Sequence, residues 1–328
     1  MITYPTCPYP IDDTKAWPYG VAQLTKSGRT QMYRLGAKIR SLYNGYLNES
    51  YFDEDFKAVS TLMDRTLMSA SVLLAGLYPP RGYQVWDQDL FWQPLPIYPN
   101  YLDHNQMVPP QSSITTCPRF HEAQNQSFTR FEKENGARMM DMMATIQPYT
   151  GFGNATIQSV LPQIMTVWES FFNMDHEGLA IPAWAQSVYP EPLSSVAAQL
   201  YAAYTINSPI TIKLLQGQLF QEMVGLLDAK MNGTLSPDRR MYYYSGHDFT
   251  IMGLQGILGL NTSNVRVIEP GSALLFELHR DNQTEHFYFQ ALYIDGDSAS
   301  LEPSDFNIPG CDFPCDFNLL NNITEKYY

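Results

Sequence analysis

Met241-Tyr242-Tyr243-Tyr244-Ser245-Gly246-His247-Asp248 is the stretch on which the reading of this sequence turns. Its methionine and tyrosines read as a buried strand, because aromatic side chains fit a pleated surface and no charge interrupts them. Gly246 permits a sharp turn. Beyond it, Phe249, Ile251, Met252, Leu254, Ile257 and Leu258 recur at helical spacing. His247 and Asp248 therefore fall between the C-terminal end of a strand and the start of a helix. Ligand sites of open α/β sheets form at that edge. A histidine beside an aspartate there offers a hydrogen-bonding cation and a carboxyl group able to move a proton. Taken locally, such a pair is more often a turn residue followed by a helix N-cap.

The same grammar occurs earlier. Residues 56–61 form a short strand candidate, Asp64-Arg65-Thr66 a polar turn, and residues 67–77 a helix closed by Pro79-Pro80. Arg65 has the wrong sign for a helix N-terminus, which suits an anion sharing the site; a solvated surface arginine is the plainer alternative. Outward from these two units, residues 1–20 read as a surface-hugging loop. Thr25 can cap a helix carrying Met32, Leu35, Ile39, Leu42 and Tyr46, with Arg34, Lys38 and Arg40 on its polar side. Residues 82–135, rich in Trp, Pro, Tyr and Asn, read as irregular connections with one short strand. Helical patterns follow over 131–146, 157–172, 193–204 and 212–231, a helical cap lobe in which the methionines are core filler. Residues 273–278 and 287–293 read as paired strands with a turn at Asp281-Asn282-Gln283-Thr284. The fold class expected is α/β: a mixed, largely parallel central sheet flanked by helices, with a smaller helical cap lobe. In chain order this divides as 1–95 (first α/β part), 96–190 (cap lobe) and 191–328 (second α/β part).

Composition narrows the partners. The net charge of −13 over 328 residues argues against nucleic acid, because no basic surface offsets phosphate repulsion. It leaves room for a small phosphate ligand held by one or two arginines. No apolar run is long enough to span a bilayer. Seven Asn-x-Ser/Thr sequons, at Asn48, Asn125, Asn154, Asn232, Asn261, Asn282 and Asn322, among 17 asparagines favour a secreted or luminal glycoprotein. Met1-Ile2-Thr3-Tyr4-Pro5 has neither the basic start nor the apolar stretch of a signal peptide. The cysteines, Cys7, Cys117, Cys311 and Cys315, suit an oxidising compartment. Cys311-x-x-x-Cys315 can close a small disulfide loop; a metal site is the rival reading, with no histidine or third cysteine nearby. No glycine-rich phosphate loop or metal constellation implies a cofactor.

The sequence resembles the histidine acid phosphatases, specifically the animal prostatic and lysosomal type. The matching pieces run in order across nearly the whole chain: Trp17-Pro18-x-Gly20 with Gln23-Leu24-Thr25, Leu47-Asn48-Glu49-Ser50-Tyr51, and Ser60-Thr61 with Asp64-Arg65-Thr66-Leu67-Met68-Ser69-Ala70. Trp92-Gln93-Pro94, Cys117-Pro118-Arg119-Phe120, Pro182-Ala183-Trp184-Ala185, Ser245-x-His247-Asp248 and Pro309-Gly310-Cys311 with Cys315 follow. The resemblance implies hydrolysis of small phosphomonoesters, with inorganic phosphate as product, in two steps. A histidine of an Arg-His-Gly-x-Arg-x-Pro motif attacks phosphorus, and water cleaves the phosphohistidine. By position, Arg65 resembles a phosphate-binding arginine, His247 the second phosphate-binding histidine, and Asp248 the proton donor to the leaving alkoxide. Some members form homodimers through the α/β lobe.

The departures are as informative. No Arg-His-Gly occurs; the histidines are His104, His121, His176, His247, His279 and His286, none in that setting. Met1 aligns just after the family's nucleophile motif, so the expectation is a longer product of which Met1 is an internal residue. The chain as given is then inactive, its nucleophile and central first strand lying upstream. The alternative is a non-catalytic secreted glycoprotein that keeps an anion-binding half-site. Val59 stands where relatives carry an arginine, Leu62 where an acidic residue is common, and Ser272 where a disulfide cysteine would be. Cys7, an extra cysteine, is a candidate partner for Cys117.

Overall fold

A computed structural model of the chain describes residues 3–99, 117–154, 156–262 and 265–328. Helix α1 (Lys26–Leu42) is followed by β1 (Phe56–Ser60), α2 (Asp64–Leu77) and β2 (Ile97–Pro99). Three helices come next: α3 (Pro118–Thr150), α4 (Ile157–His176) and α5 (Leu193–Thr205). The short α6 (Pro209–Ile212) passes through a π-helical turn, Lys213–Gly217, into α7 (Gln218–Met231). The C-terminal part holds β3 (Met241–Ser245), α8 (Asp248–Ile257), β4 (Ala273–Arg280), β5 (Phe287–Ile294), β6 (Ser304–Asp305), β7 (Cys315–Asp316) and α9 (Phe317–Thr324). The chain divides into two compact units. One comprises Met1–Ser27, Cys117–Thr211 and Asn261–Val267; the other comprises Gly28–Thr116, Ile212–Leu260 and Ile268–Tyr328.

The first unit is helical. Its core gathers Met139, Met143, Ile146, Ile164, Val167, Phe171 and Val196 from α3, α4 and α5, with the methionines as filler. Residues 3–20 have no helix or strand, but they do more than hug a surface. Tyr4 and Trp17 are buried at 2% and 7% exposure, and the Tyr4 ring packs edge-on against Phe171 and Trp184. Helix α3 begins at Pro118, well before the expected 131, while residues 100–116 of the expected irregular stretch lie outside the described residues. Buried Phe120, Ala123, Ser127 and Phe131 continue one face of α3 at three- and four-residue steps, and proline is tolerated in its first turn. The polar residues between them hide that face in the sequence. The pairing of Cys7 with Cys117 is excluded. The Thr6 N–H donates to the carbonyl of Thr150, the last residue of α3, whereas Cys117 caps the first turn. A helix of 33 residues separates the two ends by about 50 Å, and both thiols are free.

The second unit is α/β. Strand β1 lies between β2 and β3, all parallel, and Ser60 is level with Ser245. Helix α2 packs on all three strands, and its Leu73, Leu74 and Leu77 share a core with Phe56 and Ala58 of β1. Helices α1 and α2 approach closely at Gly36 and Gly76. A Cβ on Gly36 would collide with the Leu73 carbonyl, and one on Gly76 with the Tyr33 carbonyl. Strand β3 is half-buried where a buried strand was expected, because it lies at the edge of its sheet. Its Tyr244 hydroxyl donates to Glu222 of α7 at 2.7 Å.

The remaining strands form a separate antiparallel sheet. β4 pairs with β5 from Ala273↔Ile294 to Arg280↔Phe287, turned at Asp281, whose carboxylate accepts from the Gln283 and Thr284 N–H groups. β6 and β7 also pair with β5. Among the described residues, β3 and β4 therefore each have one strand partner. Cys311 and Cys315 are joined by a disulfide that leads into β7.

Candidate active site

Two neighbouring strands deliver the candidate residues to one edge. β1 ends at Ser60 and passes through Thr61 into α2; β3 ends at Ser245 and passes through Gly246 and His247 into α8. The Thr61 N–H donates to the Ser245 carbonyl (3.2 Å), carrying the alignment one residue past the strands. Both turns lie at the C-terminal ends of parallel strands, and both open onto helix N-termini, where N–H groups and the dipole favour an anion.

His247 is the N-cap of α8. Its N–H donates to Thr250 Oγ1 at 3.1 Å, one half of a capping box, and its carbonyl accepts from the Thr250 and Ile251 N–H groups. Gly246 acts by lacking a side chain: a Cβ there would lie 2.8 Å from Thr250 Oγ1, so the residue admits the capping hydroxyl. The expected sharp turn is met without a left-handed backbone, since Gly246 is absent from the positive-φ positions. The N-cap is therefore His247 and not Asp248, the residue that the local reading offered for it, so the cap and the candidate anion-binding histidine are one residue.

The imidazole of His247 is half-buried. Its Nε2 lies 3.2 Å from Thr61 Oγ1, which in turn lies 2.7 Å from Thr66 Oγ1. Ser245 Oγ donates to the Thr66 carbonyl (2.9 Å), tying β3 to the first turn of α2. Burial, and then the nearby Arg65 guanidinium, push the His247 pKa down to about 4, so the ring is neutral near neutral pH. Arg65 is the second residue of α2 and half-exposed; among the described residues no carboxylate forms an ion pair with it. Asp248 opens α8, and its Oδ1 accepts from the Phe249 N–H at 2.8 Å. Leu62, at the position where relatives carry an acidic residue, is exposed.

The structure thus brings Arg65 and His247 within electrostatic reach of each other and sets Asp248 beside them. What the sequence reading missed is the hydroxyl group of residues beneath them: Thr61, Thr66 and Ser245, all buried. The available signal was the Ser60-Thr61 pair closing an apolar strand next to Thr66. Cys311 and Cys315 lie elsewhere in this unit as a structural link.

Comparison with known proteins fixes the class. The chain matches the histidine phosphatase superfamily (branch 2) over residues 3–294, and it belongs to that family. It is 30% identical to the lysosomal acid phosphatase of Rattus norvegicus, over 98% of this chain and 73% of that protein. It is also 30% identical to the prostatic acid phosphatase of Bos taurus, over 94% of this chain and 77% of that protein. Among solved structures, the apo form of Hafnia alvei phytase superposes with a TM-score of 0.68, covering 95% of this chain and 88% of that one at 18% identity. At that identity the likeness speaks for the fold.

Proposed function

We propose that this protein is an acid phosphatase-type phosphomonoester hydrolase whose residues Arg65, His247 and Asp248 form the phosphate-binding and proton-donating part of the site. The observation that carries the reading is an arginine that has no carboxylate partner among the described residues, beside a neutral, half-buried histidine, both at the C-terminal ends of adjacent parallel strands. A phosphate monoester dianion supplies the missing negative charge. Arg65 stabilises its equatorial oxygens, His247 donates a hydrogen bond, and Asp248 protonates the leaving oxygen.

Hydrolysis through phosphohistidine needs a histidine nucleophile, and none of the sequence's histidines stands in Arg-His-Gly. We therefore assign turnover to a polypeptide that carries Arg-His-Gly as well, and anion binding without turnover to these 328 residues. Among the described residues β3 and β4 each have one strand partner, which leaves one edge of each open to a further strand. The second reading, a non-catalytic glycoprotein that binds a small anion, rests on the same missing motif. The test measures turnover of p-nitrophenyl phosphate beside binding of inorganic phosphate, on these residues. Binding without turnover is expected. Enzymic turnover would overturn the nucleophile assignment, and absence of phosphate binding would overturn the site.

A secreted or lysosomal location fits the acid phosphatase relatives and the sequons, all of whose asparagines are exposed. That a cap interrupts the α/β part, expected as 1–95, 96–190 and 191–328, is kept as a proposal with the bounds of the two compact units, since Ile97–Pro99 pairs in the sheet and Leu193–Thr205 joins the helical core. We also assign a homodimer. Among the described residues β2 has one strand partner and carries exposed Tyr98, and Trp86, Phe91 and Trp92 of the chain leading to it are exposed too; a second copy can pair antiparallel with that edge about a two-fold axis. Sedimentation should give a dimer that Phe91→Asp converts to monomer; a monomeric parent chain contradicts it.

A further inference from the structure

The hydrogen bonds under His247 have only one self-consistent direction. Thr66 Oγ1 lies 2.8 Å from the Met63 carbonyl and 3.2 Å from the Thr61 carbonyl. A carbonyl oxygen cannot donate, so the single Thr66 hydroxyl proton must point at one of them; otherwise bare lone pairs face each other at hydrogen-bond distance. The Thr61 carbonyl already accepts from Ser60 Oγ at 2.9 Å, and Met63 offers the shorter contact. Thr66 Oγ1 is then the acceptor in its 2.7 Å contact with Thr61 Oγ1, and the Thr61 hydroxyl is the donor. With its only proton committed, Thr61 Oγ1 can do nothing but accept from His247 Nε2 across 3.2 Å.

We propose that Thr61, oriented by Thr66, is the positioning residue of the phosphate site: it fixes His247 as the tautomer with its proton on Nε2 and holds the ring in place. An arriving phosphate oxygen can then share that N–H with Thr61 Oγ1 in a three-centre bond, meeting a proton on the nitrogen and not a lone pair. Both threonines are buried at 5% exposure, so water does not compete for these contacts. The relay joins groups that are 186 residues apart in sequence, one on the β1–α2 turn and one on the β3–α8 turn, so it also locks the two turns to each other. The proposal rests on the phosphate-site reading for its consequence, whereas the tautomer is measurable without ligand.

The test uses the full chain. Two-bond proton–nitrogen correlation spectra of the His247 imidazole, at pH about 7 where the ring is neutral, should place the proton on Nε2. Thr61→Val should give a mixture of tautomers and weaken inorganic phosphate binding about tenfold. Thr61→Ser, which keeps the hydroxyl, should restore both. Thr66→Val, one link further away, should shift the tautomer balance in the same direction. A parent protein protonated on Nδ1, or an unchanged tautomer in Thr61→Val, overturns the relay. A Thr61→Ser protein as weak as Thr61→Val, or a tautomer shift that leaves phosphate affinity unchanged, overturns the positioning role. His247→Ala separates the two readings: unchanged phosphate affinity there removes His247 from the anion site without touching the tautomer assignment.

Discussion

His247 combines three duties that pull on different atoms. Its backbone caps α8, its ring nitrogen rests on Thr61, and its charge state answers to Arg65. The pKa near 4 has a consequence for stability. Between about 4 and the ordinary histidine value of 6.5, the unfolded chain binds a proton that the folded chain refuses. This group therefore makes the fold less stable as pH falls through that window, with the loss complete below about 4. Urea unfolding of the parent and of His247→Gln should show it: the parent's stability drops more between pH about 6.5 and about 4. Equal slopes would mean that the ring is protonated in the fold. The role of His247 and Asp248 as a strand-to-helix pair was legible in the sequence, since an aromatic strand, a glycine and a helical period surround them. The Thr61 contact was not, because it joins positions remote in the chain and depends on which strands are neighbours.

At the scale of elements, the β1–α2 and β3–α8 units were readable because hydrophobic period switches from strand to helix within a few residues in both. The division of the strands into a parallel and an antiparallel sheet was not, since strand pairing is a non-local choice. Nor was the first half of α3, where polar residues dilute the buried face. The contact between α1 and α2 yields a clear expectation. Gly76→Ala places a methyl group against the Tyr33 carbonyl and should destabilise the unit by about 1–3 kcal/mol through overpacking. Phe56→Ala, which empties a fully buried site at the centre of the sheet, should cost more, about 3–5 kcal/mol. Chemical denaturation of both variants ranks them; a neutral Gly76→Ala would show that the helices can separate without loss.

For the whole molecule, the family and the α/β architecture were accessible from dispersed short motifs, each weak alone and telling only in their order. Surface chemistry was accessible too: every sequon asparagine is exposed, including Asn125 and Asn322 on helices α3 and α9. Their sequon hydroxyls are buried, with Ser127 donating to the Ala203 carbonyl and Thr324 to the Leu320 carbonyl. Asn154, Asn232 and Asn282 instead lie in loops or turns with exposed hydroxyl residues. Glycosidase treatment of protein from a secretory host, followed by peptide mass mapping, should find these three occupied; unmodified asparagines at all three would contradict a luminal history. The net charge of −13 sets a background against which a phosphate site must rely on local cations. Arg65 is the cation the fold provides beside His247. The most direct measurement is therefore calorimetric titration of inorganic phosphate into the parent chain and into Arg65→Ala. Saturable binding to one site in the parent, weakened at least tenfold in Arg65→Ala, is the expected result; no binding, or equal affinity in both proteins, would contradict the account.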